Sequence, residues 1–184
     1  MNMLKKIVII GPESTGKSTL CEMLAKHYNT VWCPEYAREY LLQHGTQYSY
    51  ENLQTIAEGQ IALEEMHAQK LLQQNESVTP IPPLIIDTDM QVMKVWCEFV
   101  FNDCHTWILN QIVKRKYDLY LLCKPDLPWV QDELREYPNE KPRQELYHIY
   151  REMMINQTCA WVDIHGSYDE RFAMAVAAVD ELLA

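Results

Sequence analysis

Ile7-Val8-Ile9-Ile10-Gly11-Pro12-Glu13-Ser14-Thr15-Gly16-Lys17-Ser18 runs from a short apolar segment straight into the pattern G-x-x-x-x-G-K-[ST]. Chemistry follows from the spacing. Two glycines let the backbone wrap a polyphosphate with its N–H groups, a lysine reaches the β and γ oxygens, and the closing hydroxyl is placed to ligate Mg²⁺. The pattern needs a strand before it and a helix after it, and both are legible. Leu20, Met23, Leu24 and Tyr28 recur at helical spacing beyond Ser18, so the loop would present its amides at the N-terminus of a helix, where anions are attracted. Gly11, Ser14, Thr15, Gly16, Lys17, Ser18 and Thr19 are therefore the expected ATP contacts, with Thr19 or nearby backbone at the α-phosphate. Glu13 and the Thr15 side chain read as variable filler.

Working outward, Thr30-Val31-Trp32-Cys33 is a β-like run ended by Pro34, and Glu35 to Leu42 reads as a short helix closing near Gly45. Ser49 is a plausible N-cap for a helix reaching about Gln74, broken by Pro80, Pro82 and Pro83. Leu84-Ile85-Ile86-Asp87 and Leu119-Tyr120-Leu121-Leu122-Cys123 are further strands, the first followed by a helical region carrying Val92 to Val100. Trp161 to Ile164 is the last strand, and Ser167 with Glu170 forms a capping box that opens the final helix. Short apolar strands alternating with helices imply a parallel sheet covered on both faces. The expected architecture is an α/β three-layer P-loop NTPase of the nucleoside and nucleotide kinase type, with a five-stranded parallel sheet. It forms one domain over 1–184, with a charged helical lid at about 131–154.

Composition narrows the function. With 16 Lys+Arg against 26 Asp+Glu the net charge is −10, so no broad basic surface is available for a nucleic-acid backbone. The six cysteines are scattered through apolar segments without C-x-x-C spacing, as in a reduced compartment. Cys104-His105 lacks further ligands at any familiar metal spacing. The residues before the first strand are too few for a signal peptide and no run approaches membrane-spanning length, so the expected location is cytoplasmic, without a membrane partner. A homo-oligomer is compatible with this composition and not specified by it.

Ligands of such sheets gather beyond the carboxyl ends of the strands. Glu35, Asp87, Asp89 and Asp126 all follow strand ends on that edge. An apolar strand ending in Asp87 fits the element that holds Mg²⁺, usually through water, although a carboxylate there also suits an N-cap, a role open to Asp89 as well. Lys124-Pro125-Asp126 resembles part of a guanine-reading N-K-x-D sequence. A GTPase switch of the form D-x-x-G would need glycine where Met90 stands. A kinase acting on a second small substrate is the leading reading. A kinase for another metabolite and an ATP-dependent regulatory module stand as alternatives.

Four segments together carry a family resemblance: the phosphate loop, Glu35-Tyr36-Ala37-Arg38, Asp87-Thr88-Asp89, and Pro125-Asp126-Leu127-Pro128-Trp129-Val130-Gln131-Asp132-Glu133-Leu134-Arg135. The chain resembles the NadR-type nicotinamide riboside kinases over nearly its whole length. The resemblance implies ATP-dependent phosphorylation of nicotinamide riboside, with Mg²⁺, to its mononucleotide in NAD salvage. No H-x-G-H adenylyltransferase signature occurs, so the next step toward NAD is not expected. Under this reading Lys17, Glu35, Asp87, Arg135 and Arg143 are catalytic, and Ser18 and Asp87 hold Mg²⁺. Glu35, Tyr36, Arg38, Asp89, Asp126, Trp129 and Asp132 contact the acceptor, the pyridinium resting against Tyr36 and Trp129. Tyr150, Trp96 and Phe99 are read as packing, and an ion pair with Arg38 is the plainer role for Glu35.

Overall fold

Ile7, Val8, Ile9 and Ile10 have no exposed surface. A strand buried on both faces has to lie in the middle of a sheet with helices above and below. In the computed structural model, which describes residues 4–75, 78–134 and 139–184, β1 (Lys6–Ile10) lies between β3 (Leu84–Asp87) and β4 (Leu119–Cys123). The edges are β2 (Trp32–Cys33) and β5 (Ala160–Ile164), giving the all-parallel order β2-β3-β1-β4-β5. The helices are α1 (Lys17–His27), α2 (Tyr36–His44), α3 (Tyr50–Gln74), α4 (Met90–Phe101), α5 (Thr106–Lys114), α6 (Glu140–Ile155) and α7 (Tyr168–Leu183).

Alternation along the strands sorts the core into layers. Val8, Ile10, Ile86 and Leu122 meet Leu71 of α3 and Leu146, Tyr147 and Tyr150 of α6. Ile7, Ile9, Ile85 and Leu121 meet Leu20 and Leu24 of α1 and Ala175 and Val179 of α7. A third cluster, with Ala37, Ile56, Met93 and Ile108, ties α2, α3, α4 and α5 into one body beside the sheet. The expected N-caps form: Ser49 pairs reciprocally with Asn52, and Ser167 with Glu170.

Three expectations need correction. Strand two begins at Trp32 rather than Thr30, because the Thr30 hydroxyl donates to the Pro83 carbonyl at 2.8 Å instead of leading into the ladder. Helix α5 is missing from the sequence reading. Asn102, at φ 54°, closes α4 in the left-handed conformation and the chain re-enters a helix at Thr106, with neither Gly nor Pro to mark the break. The segment 131–154 is not a lid throughout. α6 buries Leu146, Tyr147, Tyr150 and Met154 in the core against the sheet.

At the opposite edge Glu64 of α3 is 1% exposed. It accepts hydrogen bonds from Lys6 Nζ (2.7 Å), Arg115 Nη1 (3.3 Å) and Tyr117 Oη (2.8 Å). Removing one side of a buried ion network strands the other. Glu64→Ala is expected to cost about 3–5 kcal/mol in urea unfolding while leaving nucleotide affinity unchanged. Among the described residues no helix is long and apolar enough to cross a membrane, and the six cysteines are free.

Candidate active site

The turn out of β1 is set by Gly16, whose φ of 76° favours glycine and whose Cβ, if present, would lie 3.0 Å from Leu127 and 3.1 Å from a Tyr168 ring carbon. α1 then starts at Lys17 with no side-chain cap and no acidic residue in its first turn. Its first amides are left for an external anion. Lys17 Nζ donates to the Pro12 carbonyl at 2.9 Å, so the ammonium is held over the loop it serves. Thr15 is not filler: it is 1% exposed and its hydroxyl braces the loop on the same carbonyl at 2.8 Å.

Underneath, Arg171 of α7 is 2% exposed and fully engaged. Its guanidinium donates to the carbonyls of Thr15 (3.1 Å), Lys124 (3.0 Å) and Gly166 (2.8 Å) and pairs with Asp126. One side chain thus joins the phosphate loop to the loops after β4 and β5. In sequence Arg171 is indistinguishable from a solvated residue of an amphipathic helix. Asp126, expected at the acceptor, is taken up here, accepting the Gly166 amide at 2.8 Å as well.

Two carboxylates face the loop. Asp87 ends β3, is 1% exposed and accepts the Ser18 hydroxyl at 2.6 Å. Glu35 is the N-cap residue of α2, yet its carboxylate makes no cap bond to that helix. Among the described residues it takes a long bond of 3.5 Å from the Thr88 hydroxyl. The expected alternative, an ion pair with Arg38, is not made; Arg38 forks onto Asp132 at 3.0 and 3.2 Å. Burial, and then the charge of Asp87, push the Glu35 carboxyl above the usual range, partly offset by Lys17 and Arg38. Burial pushes Asp87 in the same direction against Lys17 and the Ser18 hydrogen bond. Asp89 is different. It caps α4 through the amides of Gln91 (3.0 Å) and Val92 (3.4 Å) and accepts the Tyr120 hydroxyl at 2.7 Å. With its carboxylate spent on the fold, Asp89 is corrected from acceptor contact to helix cap, its pKa raised by burial to about 6.

These groups line a cavity of about 530 Å³. Its lining includes the phosphate loop, Gly11 to Thr19, with Glu35, Arg38 and Asp87, and the apolar side chains of Val92, Val95, Trp96, Phe99, Leu146 and Tyr150. Trp96 is held by its indole N–H, which donates to Tyr48 Oη at 2.8 Å. Trp96, Phe99 and Tyr150, read as packing, are therefore cavity walls. Helical periodicity alone cannot separate a core face from a face lining a cavity.

Tyr36 and Trp129 do not line the cavity. The Tyr36 ring lies on Gly59 of α3, where an added Cβ would sit 2.1 Å from it, and Trp129 has its indole N–H buried without a partner among the described residues. The expected ring clamp is thus not assembled. Arg143 is 5% exposed on α6, on the same buried face as Leu146 and Tyr150, with Nε and Nη1 lacking partners among the described residues. Arg135 lies outside the described residues.

A family model described as an AAA domain matches residues 6–171. The trifunctional NAD biosynthesis/regulator protein NadR of Escherichia coli (strain K12) is 29% identical over 185 residues, covering 98% of this chain and 43% of the relative. The chain therefore spans less than half the length of the curated relatives it matches. A solved NadR protein in complex with NR superposes with a TM-score of 0.75 at 21% identity, over 97% of this chain and 51% of that one. Thymidylate kinase from Ehrlichia chaffeensis superposes with a TM-score of 0.61 at 15% identity, over 98% of each chain. These likenesses establish the P-loop kinase fold.

Proposed function

The chain belongs to the AAA-domain family, and on that premise we propose that it transfers the γ-phosphate of ATP to the 5′ hydroxyl of nicotinamide riboside, yielding the mononucleotide. The observation that carries this reading is one cavity lined both by the phosphate loop with two carboxylates and by the aromatic side chains Trp96, Phe99 and Tyr150. The NR complex of the related NadR protein supports the choice of acceptor, and the solved kinases of the same fold support the reaction class. The proposal concerns the kinase step alone.

Phosphoryl transfer asks little covalent chemistry of the protein; positioning and charge neutralisation supply most of the rate. Lys17 and the amides at the start of α1 bind the β and γ oxygens, the ammonium leaving the Pro12 carbonyl to do so. Ser18 Oγ and Asp87 Oδ2, 2.6 Å apart, are hard oxygen donors already side by side, as Mg²⁺ prefers alongside phosphate oxygens and water. When bound there, the ion neutralises charge on the β and γ oxygens. Glu35 accepts the proton of the acceptor hydroxyl. A carboxylate held above its usual pKa is a better base near neutrality, and this one is not spent on its helix. Arg143, whose Nε and Nη1 lack partners among the described residues, is assigned the part of a buried cation that supports the transferring group. Within the same cavity a cationic pyridinium suits the Trp96 ring and the negative field of Glu35 and Asp87.

The test is chromatographic detection of the mononucleotide from nicotinamide riboside and Mg·ATP, with ADP release followed across a panel of other nucleosides. Efficient turnover of nicotinamide riboside above the panel is expected. Folded protein that makes no mononucleotide overturns the assignment. ADP release with a different acceptor would then mark a kinase of other specificity, and nucleotide binding without acceptor-stimulated release a regulatory module.

A further inference from the structure

We propose that Gln60 of α3 is the positioning residue that aims Glu35 and Asp87 at the substrates; the inference rests on the kinase reading above. Gln60 is 2% exposed and is not part of the cavity lining. Its side chain bonds to the main chain on both sides of Glu35. Gln60 Oε1 accepts the Tyr36 amide at 2.7 Å, and Nε2 donates to the Pro34 carbonyl at 3.3 Å, with the Asp87 carbonyl at 3.5 Å and Cys33 Sγ at 3.6 Å. The orientation of this amide is dictated by its partners: a backbone N–H demands the oxygen and a backbone carbonyl demands the nitrogen. No other proteinogenic side chain of this length offers both an acceptor and a neutral donor at all pH values.

The geometry explains why the position matters. Glu35 sits at the junction of the β2 end and α2, where the chain turns from strand to helix with no side-chain cap to hold it. The Tyr36 amide and the Pro34 carbonyl, on either side of Glu35, are part-buried main-chain groups, the carbonyl also taking the Cys33 thiol at 3.7 Å, and leaving either without a good partner would let the junction relax toward water. Gln60 satisfies both, and the same amide touches the carbonyl of Asp87. Next to it, Gly59 leaves the space that the Tyr36 ring fills. Gly59-Gln60 is thus a seat for the chain around Glu35: the glycine receives the ring that follows the carboxylate and the glutamine ties down the peptides on either side. Displacement of a catalytic group by about 1 Å costs roughly 100-fold in rate, so a seat of this kind is a determinant of turnover rather than of binding.

Gln60→Met keeps volume and flexibility and removes both hydrogen-bonding ends; Gln60→Glu keeps the acceptor for Tyr36 and loses the neutral donor to Pro34. Each is compared with wild type by steady-state kinetics, thermal unfolding, exchange of the Tyr36 amide, and carboxyl-carbon NMR titration of Glu35. The expected result for Gln60→Met is a fall in kcat of roughly 10- to 100-fold with KM for ATP within about twofold, faster exchange of the Tyr36 amide, and a displaced Glu35 titration. Gln60→Glu is expected to fall between wild type and Gln60→Met, and it supplies the same readouts should the methionine variant not fold. Unchanged kcat, or a loss accompanied by no change in the Tyr36 and Glu35 signals, overturns the assignment. If wild type phosphorylates no nicotinamide riboside, the kinase reading is what fails. The two NMR readouts, which need no turnover, then still decide whether Gln60 holds Glu35.

Discussion

Glu35→Gln is expected to lower kcat by roughly 10²–10⁴-fold, the usual worth of a general base, and at the same time to raise the melting temperature of the ligand-free protein at pH 7.5. The second half follows from the cost of the site. Burial, together with the charge of Asp87, holds the Glu35 carboxyl above its ordinary pKa, and burial does the same for Asp87. The folded state therefore holds protons at pH values where the unfolded chain has released them, and stability falls as pH rises from the ordinary carboxylate range, near 4, through the raised values. Asp89, at about 6, adds a contribution of the same sign. A neutral amide at position 35 removes one member of the repelling pair, so the variant should gain stability at pH 7.5 and lose less of it than wild type does as pH rises from the ordinary carboxylate range. Calorimetry at three pH values checks the slope, and kinetics at saturating ATP checks the rate. A lower melting temperature with an unchanged slope would show that the repulsion does not dominate at this site. A rate loss under tenfold would move the proton acceptor to Asp87, where Asp87→Asn gives the complementary measurement.

Much of the fold was legible because its signals are local. The apolar runs at Ile7–Ile10, Leu84–Asp87 and Leu119–Cys123 are strands with those bounds or nearly so, and the Ser167–Glu170 box is a chemical instruction written within four residues. The phosphate loop was legible for the same reason. The aromatic lining of the cavity was not, since it depends on which way a ring turns. Tyr36 lies one position from Glu35, but the absence of a side chain at Gly59, 23 residues further along, draws its ring onto α3. Likewise Asp87 and Asp89 were both open as caps in sequence, and the approach of Tyr120 and the start of α4 turn Asp89 into the cap while Asp87 faces Ser18. Arg171 and Gln60 were invisible for a related reason. Each is a polar residue at a helical position whose partners are mostly main-chain groups, and main-chain groups carry no sequence signal.

Lys17→Ala is expected to reduce turnover by about 10³-fold, within the range for losing a preorganised charge at the transferring group, and to lower stability at pH 7.5, the opposite direction to Glu35→Gln. Lys17 lowers the pKa of both Glu35 and Asp87, so its ammonium is a counter-charge to the pair even before ATP arrives. Without it both carboxyls should titrate higher still, and stability should fall more steeply as pH rises through the window in which they ionise. The two substitutions therefore look alike in an activity assay and separate cleanly in a melting experiment. Combining them sharpens the test. With Glu35 neutralised, Lys17 has one carboxylate to balance instead of two, so Lys17→Ala should cost less stability in the Glu35→Gln background than in wild type, a coupling that a double-mutant cycle isolates. Lys17→Arg should not restore activity. A planar fork cannot take the place of a compact ammonium that must donate to the Pro12 carbonyl within the loop and then turn to phosphate. If Lys17→Ala instead raises the melting temperature, the lysine is held in the loop at a net cost to the ligand-free fold, and its charge is balanced only when the triphosphate is bound.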